Sequence, residues 1–276
     1  MRAFFRDVDG ARIRYYHAGE GRPLLLVHGF GSSSDFWQRV FEPLAQRHAV
    51  YAPDLLGHGF SDWVDFGTRA PQLHLVDHLL KFVDSMGIDE FDLVGSSLGG
   101  ILAPLLYRAR PRSVRRLMLV GIDVPVSPTG LLDPEILSAA AANGSAALRE
   151  PSFESCRKRL ANICHDPEKA PLDIAMLQVT AYALPDRLTA YLRLAEGMAK
   201  LTVEQQEAVR IVPEQIEIPT LMLCGLQDPR ASIETLRSGV ERLPQGRLVE
   251  VDACGHLPHV EHPQLFAERL LDFLRT

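Results

Sequence analysis

The chain has 276 residues, 46% of them hydrophobic and 23% charged, and a formal net charge of -6. That length implies one large domain or a domain carrying an insertion, and the mild acidity without any basic run argues against nucleic-acid binding. No apolar stretch approaches the roughly 20 residues that cross a bilayer, the first residues carry no secretory pattern, and Cys156, Cys164, Cys224 and Cys254 form no CxxC, so reduced thiols in a cytoplasmic protein are expected.

In chain order, Phe4–Val8 and Ile13–His17 flank Asp9-Gly10, a strong hairpin signal. Pro23-Leu24-Leu25-Leu26-Val27 is apolar on both faces, as a central parallel strand requires. It runs into His28-Gly29-Phe30-Gly31, after which Asp35 is predicted to cap an amphipathic helix ending near Arg47. Ala49–Ala52 reads as a strand, followed by the turn-rich Asp54-Leu55-Leu56-Gly57-His58-Gly59-Phe60-Ser61 and a helix over about 71–86. The next strand, from Phe91, stops at Gly95-Ser96-Ser97-Leu98-Gly99-Gly100 and passes at once into a helix-like segment, and Val114–Val120 is a further strand.

There the alternation of strand and helix stops. Residues 124–217 contain no convincing strand and are punctuated by prolines, which predicts a helical cap where a minimal crossover needs only about a dozen residues. The pattern resumes with Pro219–Cys224, ending in Gly225-Leu226-Gln227-Asp228, then a helix to about Leu243, a strand over Arg247–Val251 ending in Asp252-Ala253-Cys254-Gly255-His256, and a closing amphipathic helix. The predicted fold is α/β: a mostly parallel sheet of about eight strands with helices on both faces, residues 1–123 and 218–276 forming the core and residues 124–217 the cap.

Gly95-Ser96-Ser97-Leu98-Gly99 between a strand and a helix has the spelling of a nucleophile elbow. The turn must be sharp to lift the serine hydroxyl above the strand ends, and glycines on either side let strand and helix approach. Alone, Gly-x-Ser-x-Gly is a weak signal that ordinary turns also satisfy. It gains force because Ser97, Asp228 and His256 each follow a strand and occur in the order nucleophile, acid, base. A serine hydroxyl needs a base to take its proton, and imidazole is suited to that at neutral pH. The helix-like pair His74 and His78 has Leu75 where a zinc protease needs glutamate, and Gly29-x-Gly31 lacks the third glycine of a dinucleotide fingerprint. No metal or other cofactor is therefore expected, and the expected partner is a small-molecule substrate.

Together these motifs resemble the α/β-hydrolase fold superfamily, in the serine branch with an His-Gly-x-Gly loop and a cap after the sixth strand. The resemblance implies a Ser97–His256–Asp228 triad and an oxyanion hole made by the backbone N–H groups of Phe30 and Leu98. Asp123 is the rival for the acid, because some relatives carry it after the sixth strand. His28 and the Asp54–Ser61 loop are expected to be structural, His259 and His262 to lie at the surface or rim, and Leu177, Tyr182, Leu184, Tyr191 and Met198 to line a pocket or pack the cap.

Serine at the elbow disfavours dehalogenase and epoxide hydrolase chemistry, which uses aspartate there. The leading expectation is hydrolysis of carboxylic esters with small to medium apolar acyl groups. The alternatives are a carbon–carbon hydrolase of meta-cleavage-type diketones, a lactonase, a thioesterase, a monoacylglycerol lipase, or a ligand receptor that retains the triad. In the carbon–carbon hydrolases a tryptophan usually follows the histidine, whereas here it is Leu257. That reaction also calls for a fixed cation near the serine. Phe30, Leu98 and Leu257 are not cationic, so a cation would have to come from the cap, from Arg157 or Arg193.

Overall fold

The computed structural model describes residues 1–275. Eight strands form one sheet in the order β1-β2-β4-β3-β5-β6-β7-β8. They are β1 (Arg2–Val8), β2 (Ala11–Ala18), β3 (Pro23–Val27), β4 (Ala49–Pro53), β5 (Phe91–Ser96), β6 (Val114–Val120), β7 (Thr220–Gly225) and β8 (Gly246–Val251). β1 and β2 pair antiparallel through the predicted hairpin, where Asp9 and Gly10 both take positive φ. From β4 to β8 the pairing is parallel. β5 and β7 are buried along their whole length, which accounts for their unbroken apolar character.

Helices cover both faces. α1 (Gln38–Ala45) and the last helix, α11 (Pro263–Arg275), pack on one side. There Phe41 and Leu44 meet Phe266, Leu270 and Phe273 over Leu24, Leu26 and Val94 of the sheet. Burying each such side chain contributes about 1.5–3 kcal/mol. α2 (Pro71–Ser85), α3 (Leu98–Ala109) and α9 (Ile233–Gly239) cover the other side. Between β6 and β7 the chain forms α4 (Pro134–Arg149), α5 (Phe153–Ala161), α6 (Leu172–Tyr182), α7 (Arg187–Ala199) and α8 (Val203–Val209), with no strand among them. A four-residue α10 (Pro258–Glu261) precedes α11. Among the described residues no helix is long and apolar enough to cross a membrane.

One predicted element is organised differently. Asp35 does not cap a helix but lies within a short 3-10 turn, Ser34–Trp37, and α1 begins only at Gln38. The Asp35 carboxylate is buried and accepts hydrogen bonds from Arg14, Tyr16 and Ser33. A buried cation on β2 has claimed a carboxylate that the local pattern assigned to helix amides.

Candidate active site

The site lies at the carboxyl ends of the parallel strands, where open α/β sheets build theirs. Ser97 sits between β5 and α3 at φ 53 and ψ -115, a conformation that non-glycine residues avoid. Its neighbours show why the elbow needs glycine. A Cβ on Gly95 would stand 2.2 Å from Gly99 O, and one on Gly99 would stand 2.2 Å from Val27 O. Leu98 opens α3, so its N–H has no carbonyl one turn back to bond.

His256 and Asp228 meet from the loops after β8 and β7. His256 Nδ1 lies 3.0 Å from each Asp228 carboxylate oxygen, and both side chains are buried. This geometry protonates Nδ1 and turns Nε2, which has no protein partner, toward the chamber that Ser97 lines. No hydrogen bond joins Nε2 to the Ser97 hydroxyl; such contacts are often loose before substrate binds. Asp123 is engaged elsewhere, accepting the Ser232 N–H at 2.9 Å, and burial raises its pKa.

The loop after β3 brings Phe30 beside Ser97. His28 Nε2 accepts the Leu55 N–H at 3.0 Å, so its Nδ1 carries the proton and donates to Gly29 O at 2.9 Å. Gly29 O also accepts the Ser32 N–H at 3.1 Å. His28 is thus a structural support, as expected. In the Asp54–Ser61 loop, Asp54 accepts from Arg14, Ser34 and the Phe60 N–H.

The insertion helices reach the same loop. Arg159 on α5 donates from Nη2 to Phe30 O at 3.0 Å. On α6, Tyr182 donates its hydroxyl to Gly31 O at 2.5 Å, and Gln178 Nε2 adds a second donor at 3.3 Å. Tyr191 on α7 stacks on the Phe30 ring, centroids 4.0 Å apart. The His256 N–H is bound by Ile163 O, just after α5.

Arg159 and Arg230 supply the charge. Both line the small chamber that holds Ser97, Phe30 and His256. Arg159 is buried, with Nε and Nη1 unbonded. The Arg230 side chain has neither hydrogen bond nor carboxylate partner among the described residues, and burial together with the Arg159 charge pushes its pKa down to about 10. The expected cations, Arg157 and Arg193, are instead on exposed faces paired with Glu154 and Glu196. On the other side of Ser97 an apolar chamber lined by Leu98, Ile101, Leu137 and Met198 joins a cavity of about 740 Å³, which shares Ile101, Leu137, Met198 and Arg230.

The remaining pocket candidates divide. Met198 lines the cavity beside Ser97, whereas Leu184 lines a separate surface cavity and Leu177 is half-buried on α6. His259 is no rim residue. It is buried and packs at a tilt against Trp37, centroids 4.3 Å apart, and burial followed by the His256 charge lowers its pKa to about 3. Among the described residues no cluster of His, Cys, Asp or Glu has the makings of a metal site.

A model of the alpha/beta hydrolase family matches residues 24–269. The chain belongs to that family. This hydrolase is 28% identical to the 2-hydroxymuconate semialdehyde hydrolase of Pseudomonas sp. (strain CF600), over 96% of this chain and 91% of the relative. Its fold matches 2-hydroxy-6-oxo-6-phenylhexa-2,4-dienoate hydrolase from Rhodococcus sp. strain RHA1 with a TM-score of 0.81 and 22% identity, covering 100% of both chains. The epoxide hydrolase CorEH is as similar in shape, with a TM-score of 0.82 and 21% identity over 99% of this chain and 98% of that one. Shape alone therefore does not select the reaction.

Proposed function

We propose that this hydrolase cleaves a carbon–carbon bond in a conjugated oxo acid, a ring-fission diketone carrying a carboxylate, with residues 124–217 as the cap over the site. The observation that carries the reading is the pair of arginines without a carboxylate partner beside Ser97, Arg159 buried and Arg230 partly buried. A neutral ester gives no reason to keep two uncompensated cations at the nucleophile. A substrate that is a carboxylate and leaves as a delocalised anion does. The similarity to the 2-hydroxymuconate semialdehyde hydrolase supports the same choice and favours it over ester hydrolysis. Leu257, where tryptophan is usual, implies a different fit around the histidine.

In this reading the Asp228 carboxylate holds the His256 tautomer whose Nε2 accepts the Ser97 proton. A substrate in its 2-hydroxydiene form first becomes its keto tautomer, the hydroxyl losing its proton as the carbon beside the ketone gains one; Ser97 Oγ then bonds to the ketone carbon, and the Phe30 and Leu98 N–H groups receive the oxyanion. The bond to the adjacent carbon then breaks. Its electron pair enters the conjugated acid held by the arginines, and the His256 imidazolium returns a proton to that carbon. Water, deprotonated by His256, cleaves the acyl–Ser97 ester and frees a carboxylic acid. The cavity of about 740 Å³ accommodates the acyl substituent, and each methylene buried there contributes about 0.8 kcal/mol.

The test compares specificity constants for 2-hydroxy-6-oxo-2,4-heptadienoate and 4-nitrophenyl butyrate. The ring-fission compound is expected to win by at least about tenfold, and Ser97→Ala to lower its turnover on the order of 10⁶-fold. A tenfold advantage for the butyrate ester would return the function to an esterase.

A further inference from the structure

An oxyanion hole works only if its donors are already aimed when charge develops, and errors of about 0.5 Å erode its effect. The Leu98 N–H is fixed by α3. The Phe30 N–H belongs to a loop, and it makes no backbone hydrogen bond. Its direction depends on the peptide groups around it. The Phe30 N–H shares one planar peptide with the Gly29 carbonyl, which accepts from His28 Nδ1 in the core and from the Ser32 N–H, itself in the same peptide as Gly31 O. The next two carbonyls are held from the insertion, Phe30 O by Arg159 and Gly31 O by Tyr182 and Gln178. Gly31 has φ +63, and a Cβ there would stand 2.7 Å from the Tyr191 ring and 3.4 Å from the Tyr182 hydroxyl, so the insertion fits the bare backbone closely. Tyr182 and Gln178 are buried and lie one helical turn apart on α6, and Gln178 also donates to the Tyr182 hydroxyl at 3.1 Å. Burial raises the Tyr182 pKa, which keeps the phenol protonated as a donor.

Building on the reading of Ser97 as nucleophile and the Phe30 N–H as oxyanion donor, we propose that Tyr182 and Gln178 are positioning residues that aim this donor through Gly31 O. The insertion is then part of the catalytic frame as well as a wall of the pocket. The hydrogen bond from the His256 N–H to Ile163 O ties the histidine loop to the same helices. A swinging lid would have to break these contacts on opening, so oxyanion hole and cap assemble as one unit.

The variants are Tyr182→Phe and the double change Tyr182→Phe with Gln178→Leu; Arg159 is left intact because it also faces the substrate anion. With 4-nitrophenyl acetate, kcat is expected to fall about 10-fold in the single and about 100-fold in the double variant, with KM within twofold of wild type. A trifluoromethyl ketone, whose carbonyl adds Ser97 Oγ to form a tetrahedral oxyanion, should lose affinity by the same factors. Unchanged kcat, or a fall in kcat with unchanged affinity for the ketone, would overturn the proposal. Fluorophosphonate labelling of wild-type Ser97 separates the two readings. With labelling and wild-type-like variants only the positioning role falls, whereas without labelling the nucleophile reading falls and takes the positioning role with it.

Discussion

Arg14 and Arg159 are equally buried, at 5% and 3% exposure, and the protein surrounds them in opposite ways. Arg14 is saturated. Nε reaches Asp54 at 2.6 Å, Nη2 reaches Asp35 at 2.7 Å, Ser34 accepts a further bond, and the group lies over the Phe60 ring. Burial works against its charge, but Asp54 and Asp35 outweigh it and its pKa is raised. Arg159 has one bond, to a backbone carbonyl, and its neighbour in the chamber is another arginine, Arg230. Desolvating a guanidinium costs several kcal/mol. In the first region the fold supplies the compensating anions. In the second it does not, and on the proposed reading a substrate anion supplies the missing countercharge.

The contrast is sharpest when the paired cation is removed. Arg14→Met leaves Asp35 and Asp54 buried together without their counterion, and should lower the urea-derived unfolding free energy by about 3–5 kcal/mol. Loss of under 1 kcal/mol would mean that the triad of charges is not structural. The next effect is in pH. Because the Arg230 pKa is lowered to about 10, its charge is present below that value and lost above it. KM for the carboxylate substrate should therefore rise about tenfold between pH 9 and 11, with no such rise for a neutral ester. A flat KM would place the substrate anion away from Arg230. The smallest effect is the counterpart of the first. Arg230→Met removes an unpaired, repelled cation, so stability should change by less than about 1 kcal/mol, toward the more stable side. A loss as large as that of Arg14→Met would show that Arg230 has a structural partner.

The elements that carry the candidate triad were legible because their spelling is local. An elbow needs its glycines, a central strand needs apolar residues on both faces, and Asp228 and His256 lie in the loops just after β7 and β8. The charge around the site was legible only in part. Arg230 is two residues beyond Asp228 and shares its loop, so its placement near the triad was available from spacing. Arg159 carried a fainter sign: it falls in the buried register of α5 with Cys156 and Leu160, where an ordinary amphipathic helix would place an apolar residue. Arg157, one position off that register, faces solvent. Tyr182 and Tyr191 read as pocket or packing residues, and their hold on the Phe30–Gly31 loop depends on α6 and α7 meeting the loop after β3 across more than 140 residues of sequence, which no periodicity encodes. His259 and Asp35 were misplaced for the same reason, since Trp37 and Arg14 are partners brought to them by the tertiary fold.

The central claim is that the two unpaired arginines recognise the substrate's carboxylate. The most direct measurement is the ratio of specificity constants for a 2-hydroxy-6-oxo-dienoate and for its methyl ester, in the wild type and in the Arg159→Met/Arg230→Met variant. Damage to the oxyanion loop from losing Arg159 affects both substrates and cancels in the ratio. Two charged hydrogen-bonding groups at about 1.5–3 kcal/mol each predict a wild-type preference for the acid of at least about 100-fold, falling to within about threefold of unity in the variant. A preference that survives the double substitution, or a wild-type enzyme that does not distinguish acid from ester, would contradict the account.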